Sequence, residues 1–517
     1  MNTDAGRSTS VWMATATRPA FPSLTRNESA DVCIVGAGMA GLTTAYLLTK
    51  AGKSVIVLDD GPIVAGETER TTAQLATVLD KRFFELARMH GEEGAKLAAE
   101  SHAAGIDTIE RIVCDERIDC DFERVDGWLF NAPDQPADLL DRELASARRA
   151  GLTNTEMVDR APSASFNTGR ALLFRRQAQF NPLKYLAALA QGIVRDGGRI
   201  FTETHATKIV GGSSAQVDTI GGRTVSCAAI VMATNTPIND WLVIHTKQAA
   251  YRTYVIGVAV PVGKVPKALY WDTANPGHYL RLVGMNDGGA APAQEILLVG
   301  GEDHRTGEAD DADARYAHLE QWTRARFPMA TEVRFRWSGQ VMESVDGLAF
   351  IGRNLLDHDN IYFVTGDSGS GLTHGTIAGL LLTDLIRGRE NRWAQLYSPS
   401  RVTLAAIPKF AKEAVNTALQ YANWLIDGDV EKDCLVLPGM GAVVPNGLTK
   451  TAVYRDVGGT LHECSAVCPH LGGLVSWNHA EETWDCPAHG SRFDRFGKVL
   501  NGPANEDLHP VAVVAHE

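Results

Sequence analysis

Cysteine is scarce in this chain, eight in 517 residues, and no basic block, internal repeat or low-complexity tract interrupts it. Eight scattered thiols fall short of a disulfide scaffold and point to a reducing compartment. Lys and Arg number 49 against 62 Asp and Glu, a formal charge of −13 spread along the chain, so nucleic acid is not an expected partner. No apolar stretch reaches the roughly 20 residues of a membrane span. The opening residues, MNTDAGRSTSVWMATATRPAFPSL, lack a basic region followed by an apolar core and do not read as a secretory leader. What is left is an ordinary composition, 44% hydrophobic and 21% charged, over a length that predicts two or three domains with large cores. The expectation is a cytoplasmic protein with no membrane span.

Two motifs stand out against this background. Near the start, Asp31 to Val35 reads as a buried strand leading into Gly36-Ala37-Gly38-Met39-Ala40-Gly41. A helical stretch, Leu42 to Lys50, stops at Ala51-Gly52, and a β-branched strand, Ser54 to Leu58, ends at Asp59. This is a βαβ unit with a glycine-rich turn, the pattern of a dinucleotide site. Gly36 suits the tight turn, Gly38 the approach of a pyrophosphate, and Gly41 close helix–strand packing. Met39 and Ala40, within the turn, are further expected cofactor contacts, and the helix N-terminus supplies amide donors for the phosphates. Asp59 is the expected ribose acceptor; Glu is commoner there in flavoproteins, and Asp60 follows directly.

Near the end lie Cys468-Pro469-His470 and, fifteen residues later, Cys486-Pro487-Ala488-His489, each followed by small residues to give CPHLGG and CPAHGS. Two thiolates and two imidazoles at this spacing suit a [2Fe–2S] cluster with Cys468 and Cys486 on one iron and His470 and His489 on the other. A structural zinc site also draws on Cys and His, although zinc ribbons and fingers usually pair like ligands. With Gly502-Pro503-Ala504 further on, residues 432–517 resemble the Rieske domain family, a small all-β fold with its ligands on two loops. Respiratory members carry an extra cysteine in each loop, joined as a disulfide. Here Gly473 and Ala488 occupy those positions, Ser491 keeps a hydroxyl placed near a bridging sulfide, and Phe493 replaces a tyrosine. The resemblance implies a midpoint potential below the respiratory range. Cys464, four residues before the first box, has no assigned role.

Further segments bear on which dinucleotide is bound. Gly66 to Ala73 places small and hydroxyl residues, among them Thr71, Thr72 and Ala73, soon after the acid. Ala229 to Asn235 is a strand ending in a small-residue turn with Ala233 and Thr234. Asp346 to Gly352 precedes a last strand, Ile361 to Thr365, which runs into Gly366-Asp367-Ser368-Gly369-Ser370-Gly371-Leu372-Thr373-His374-Gly375. Together these resemble the D-amino-acid oxidase/glycine oxidase (DAO) family of FAD-dependent oxidoreductases over about 30–390. The resemblance implies FAD as cofactor, with Gly366, Asp367, Gly371 and Thr373 as contacts and a helix from Thr376 to Ile386. Gly369 and Gly375 fit a plain helix-capping turn equally well.

The expected organisation is an N-terminal extension (1–29), an α/β Rossmann-like FAD-binding domain (30–82, 181–241 and 346–400), an α+β substrate domain (83–180 and 242–345), a connecting helix (401–431) and the all-β Rieske domain (432–517). In the substrate domain, Tyr251, Arg252 and Tyr254 on an alternating strand are candidates for holding a substrate carboxylate. Alternation puts Arg252 on the face opposite Tyr251. His374, on the cofactor turn, is the flavin-side catalytic candidate, and a backbone-bonding role would serve it as well. His304 and Trp337 are further candidates. The connecting helix places Phe410, Ala414, Ala418, Tyr421, Ala422 and Leu425 on one side. That side is expected to pack on the flavin domain, with a membrane-surface helix as the alternative.

Joining the two parts predicts an FAD-dependent dehydrogenase or oxidase acting on an amine or amino acid, whose cluster relays single electrons to a partner protein or small acceptor. Three rivals stay open: reverse flow with the cluster as entry port, direct reaction of the flavin with O₂, and a non-catalytic redox-sensing module. A Rieske oxygenase is disfavoured because no His/His/carboxylate set stands out. A disulfide reductase is disfavoured because no C-x₄-C pair follows the first βαβ unit.

Overall fold

The computed structural model describes residues 6–163, 165–238, 244–285, 294–353, 358, 360–422, 424, 428–447 and 449–511. The βαβ unit forms where the periodicity placed it. Strand β1 (Glu28–Val35) buries its last four residues, α1 spans Met39–Lys50, and β2 (Val55–Leu58) is apolar and wholly buried. Such continuous burial belongs to a parallel sheet covered on both faces. Beyond β2 lies β3 (Arg199–Phe201), and on the other side of β1 lies β4 (Thr224–Met232), all in parallel. Later in the chain, β8 (Phe350–Arg353) and β9 (Ile361–Thr365) complete a sheet ordered β8-β9-β4-β1-β2-β3, with an antiparallel hairpin (Ala206–Val210 and Gln216–Thr219) on β4.

A nine-stranded mixed sheet forms the second layer. Its edge is built from β5 (Gln248–Pro261), β6 (Gln294–Arg305) and β7 (Val333–Ser344), with β5 between the other two. The long helix α2 (Phe83–Glu116), expected within the substrate domain, lies along α3 (Gly371–Ile386) and shares the core of the FAD-binding domain. Helix α3 begins five residues before the expected Thr376. Of the two glycines that fit a capping turn, Gly369 (φ 80) takes the left-handed conformation, whereas Gly375 is a packing contact: a Cβ there would sit 3.0 Å from the Met39 side chain, as one on Gly379 would sit 2.7 Å from Thr43.

The C-terminal part is all-β, as expected. A three-stranded and a four-stranded antiparallel sheet enclose a core containing Trp477, Trp484 and Phe493. Cys464 is part of that core. The connecting helix α4 (Ile407–Ala422) corrects one expectation. Its polar side docks on the second sheet through Lys409 to Glu343 (3.3 Å) and Glu413 to Arg305 (3.4 Å). Phe410, Ala414 and Ala418 face solvent, and Leu425 lies outside the described residues. One largely buried and one half-buried ion pair outweigh a small-residue stripe in choosing the docked face. Among the described residues no helix is long and apolar enough to cross a membrane.

Candidate active site and cluster loops

A cavity of about 840 Å³ runs from the glycine turn to the second sheet. Gly36, Gly38, Met39, Ala40, Asp59, Ala233 and Thr234 form one end. Gly36 has φ 104, and a Cβ on Gly41 would strike its carbonyl oxygen, so both glycines are required by the turn. Gly41 therefore serves packing and does not line the cavity. The Asp59 carboxylate accepts the Ala37 and Gly61 main-chain N–H groups, bracing the turn. Thr71 and Thr72 line the cavity further along, while Ala73 lies behind them. From the late turn come Asp367, Gly371 and His374; Gly366 and Thr373 stand behind this wall, Thr373 donating to the Ser370 carbonyl at 3.0 Å. One Asp367 oxygen is buried without a hydrogen-bond partner. A bare main-chain cradle, an orphan acceptor and this volume fit a flavin dinucleotide.

Strand alternation decides the other end. Tyr251, Thr253 and Val255 face the cavity, whereas Arg252 and Tyr254 point to the opposite side of β5. Arg252 and Tyr254 therefore do not meet Tyr251 at one site. His304 stacks on Tyr254 at 5.7 Å, and Trp337 donates to the Arg70 carbonyl at 2.7 Å. Residues missed by the sequence reading supply the charge: Asp80, Asp303 and Glu343 all line the cavity. Burial, with Glu343 adding, pushes Asp80 up to about 6. Burial likewise raises Asp303 to about 7, against a hydrogen bond from Thr253 and with Asp80 and Glu343 nearby. Asp303 was legible in principle, since it precedes His304 on an alternating strand. Asp80 sits on a loop with no motif.

His374 makes a buried imidazole pair. Its Nδ1 lies 2.8 Å from the Asp367 carbonyl and its Nε2 3.2 Å from Nε2 of His102 on α2. A carbonyl can only accept, so Nδ1 of His374 carries the proton; Nδ1 of His102 lies 3.4 Å from the Ala76 carbonyl, so the single proton of a neutral His102 serves either that carbonyl or the free nitrogen of His374. Burial lowers both pKa values, that of His102 to about 4, so the pair is neutral near pH 7.

The two cluster loops are built alike. Cys468 N–H donates to the Gly473 carbonyl at 2.8 Å and Gly472 N–H to Cys468 at 3.0 Å. Cys486 N–H donates to Ser491 at 2.8 Å and Gly490 N–H to Cys486 at 2.9 Å. Gly472 (φ 74) and Gly490 (φ 84) turn each loop back in the left-handed region. The Cys468 and Cys486 thiols lie within hydrogen-bonding reach of each other, with the Ser491 hydroxyl and loop N–H groups also directed at the sulfurs. His470 and His489 pair separately, their ring centroids 5.1 Å apart. Among the described residues no three His, Cys, Asp or Glu side chains converge as for one metal ion. Thiols on one side and imidazoles on the other fit a two-iron cluster and not a single zinc. Burial foremost holds His470 at about 3 and His489 at about 4, leaving both rings in the neutral form that binds metal. A Cβ on Gly473 would lie 2.9 Å from that of Ala488, so the positions of the absent disulfide do face each other.

The imidazole edge is covered by the flavin-binding part of the chain. His245 packs its ring at 4.7 Å from His470 and 5.8 Å from His489. A Cβ on Gly490 would strike Ala250 of β5. Gln340, which lines the cavity, donates to the Gly490 carbonyl at 2.9 Å. Residues 499–502 of the Rieske segment line the dinucleotide end of the same cavity, and Asn505 donates to the Ala206 carbonyl at 2.9 Å.

Known proteins share both parts. The FAD dependent oxidoreductase (DAO) family matches residues 31–385, and the Rieske [2Fe-2S] domain matches 436–513. The protein YhfW of Bacillus subtilis, named as a Rieske 2Fe-2S iron-sulfur protein, is 31% identical over 97% of each chain. Gamma-glutamylputrescine oxidoreductase of Escherichia coli is 27% identical over 74% of this chain and 90% of its own. Glycine oxidase from Geobacillus kaustophilus superposes with a TM-score of 0.61 at 19% identity, covering 73% of this chain and 100% of its own, a likeness of fold.

Proposed function

Because the chain belongs to the DAO family of FAD-dependent oxidoreductases and ends in a Rieske domain, we propose that it is a dehydrogenase oxidising an amine or amino acid, with single electrons passed through the cluster to an acceptor. When bound, FAD supplies a two-electron hydride acceptor and the [2Fe–2S] cluster a one-electron carrier. The chain's own share is to bind, orient and deprotonate. Asp80 and Asp303, beside a Glu343 already paired with Lys409, put negative charge where a substrate ammonium enters, and a carboxylate of raised pKa is suited to take its proton near neutral pH. The Tyr251 hydroxyl, 3.5 Å from Glu413, is available to orient the nitrogen. The neutral His374, backed by His102, walls the cavity without adding a cation. Water hydrolyses the released imine. The names of two similar proteins, a γ-glutamylputrescine oxidoreductase and a glycine oxidase, accord with this substrate range. In this reading the protein works in the reducing cytoplasm, where its thiols stay unbridged.

The observation carrying the relay is Gln340, whose side chain joins the cavity wall to the Gly490 carbonyl beside His489. Anaerobic absorption spectra during addition of amines and amino acids test it. Bleaching of the flavin band followed by loss of the oxidised Rieske features is expected. Reduction of both centres by dithionite or reduced ferredoxin alone would sink the oxidative direction.

A further inference from the structure

We propose that the outer face of α4 docks a small one-electron carrier protein, so that electrons leave the chain across this helix; the inference rests on the relay reading above. Val402, Leu404, Ile407, Phe410, Val415 and Leu419 are between 38% and 75% exposed, six of the thirteen exposed large hydrophobic residues among those described. On α4 they fall on two neighbouring ridges of four-residue spacing. Ile407, Ala411, Val415 and Leu419 form one, and Phe410, Ala414 and Ala418 the other, all open to solvent. Ridges spaced by alanines accept side chains from a partner surface. An apolar band of this kind on an otherwise charged exterior marks an interaction site.

Position identifies the occupant. The inner side of α4 touches both redox sites: Lys409 and Glu413 line the flavin cavity, and the Tyr421 hydroxyl donates to the Leu471 carbonyl of the first cluster loop at 2.8 Å. Just beyond the helix, Trp424 Nε1 donates to the Gly472 carbonyl at 3.1 Å. The cluster's imidazole edge is already covered by His245 and β5. A carrier on the outer ridge would stand about one helix diameter, ~10 Å, from the loop. The band is roughly 20 Å long and one helix wide. That is a few hundred Å², short of the ~800 Å² per partner in stable assemblies and suited to a brief redox encounter. A second copy of the chain would need more surface. A bilayer would need several free cations flanking the stripe, but α4 carries only Lys409, paired with Glu343, and the exposed Lys412, and the chain carries −13.

The test compares the full, cofactor-loaded chain with its Val415→Glu/Leu419→Glu variant. Binding of a [2Fe–2S] ferredoxin and of a c-type cytochrome is measured by calorimetry. Stopped-flow mixing then follows electron delivery from dithionite-reduced chain to each carrier and to ferricyanide. At least one carrier should bind and accept electrons from the wild type. The variant should weaken its binding and slow its reduction at least tenfold, with ferricyanide reduction and cofactor absorbance unchanged. If the double variant loses its cofactors, Ala414→Lys serves in its place with the same expectation. The proposal falls if neither carrier binds, or if both are served equally by wild type and variant. It also falls if sedimentation shows a dimer, or flotation shows vesicle binding, that the variant abolishes. Dithionite loads the cluster directly, so failure of the relay reading shows separately, as flavin bleached by amine beside an oxidised cluster.

Discussion

The two faces of β5 carry opposite kinds of chemistry. Tyr251, Thr253 and Val255 look into a cavity edged by carboxylates. Arg252, one residue away, looks into a buried seam where the Rieske strands meet the second sheet; it is 1% exposed, and its three side-chain nitrogens have no hydrogen-bond partner. Around it, Glu481 accepts from Ser8 and Ser338, lies 3.6 Å from Arg70, and shares the seam with Asp485 and Arg492. The cavity face leaves charge open for a ligand to neutralise, whereas the seam brings opposite charges together permanently. A period of two residues thus lets a single strand separate a binding surface from an anchoring one.

Breaking the seam should have the largest effect. Burial alone would raise Glu481, but Arg70, Arg252 and Arg492 prevail and hold it at about 2. Glu481→Ala strands two or three buried guanidinium groups, and a cost of about 3–5 kcal/mol is expected for an uncompensated buried charge. Thermal unfolding and limited proteolysis between the two parts measure it. In the wild type, a depressed carboxylate pKa stabilises above the unfolded value and loses that contribution as pH falls toward 2, so the seam should loosen at acid pH. Glu481→Gln should remove that acid-dependent component.

The cavity face should respond to pH in the opposite range. Asp80 and Asp303, raised to about 6 and 7, gain negative charge as pH rises through that window. An ammonium substrate therefore binds better above it. Asp303→Asn should flatten this limb of the kcat/KM profile and cost about tenfold at pH 8, equivalent to ~1.4 kcal/mol. The midpoints belong to the carboxylate group as a whole, so the variant should also move the limb that Asp80 leaves behind. An unchanged pH profile would remove Asp303 from substrate binding.

How much of this was legible follows from where each signal lives. The glycine turn and both Cys/His boxes were readable because backbone geometry and ligand chemistry restrict residue type position by position. The first strand pair fell within three residues of its expected ends because burial on both faces leaves a continuous apolar run. Arg252 and Tyr254 illustrate the limit: alternation separated Arg252 from Tyr251 but was not carried on to Tyr254, and which side held the cavity depended on β6 and β7 on either side of β5. The face of α4 was misjudged because its docking uses Lys409 and Glu413, whose partners Glu343 and Arg305 are distant in sequence. His245 carried no motif at all, and only folding brings it against the two ligand imidazoles.

Gln340 crosses between the two faces, and its removal should cost less than breaking the seam. Gln340→Leu keeps the volume roughly but leaves the Gly490 carbonyl without its side-chain donor, at a cost of about 1–3 kcal/mol if the site stays dry. A stopped-flow record of flavin-to-cluster transfer beside a melting curve separates coupling from stability. A slower transfer with little change in melting would make Gln340 part of the connection.

The smallest effect is expected at the cluster itself. The Ser491 hydroxyl accepts the Ala504 N–H at 2.9 Å, which directs its own proton toward Cys468. Hydrogen bonds to cluster sulfurs favour the reduced, more negative state and raise the midpoint. Phe493 supplies no second hydroxyl, so the wild-type midpoint should fall well below the top of the roughly −150 to +300 mV Rieske span. Ser491→Ala should lower it further while leaving the seam intact, because Glu481 and its arginines do not depend on that hydroxyl. A redox titration read by absorbance checks both statements, and a wild-type midpoint near the top of the span would contradict the first.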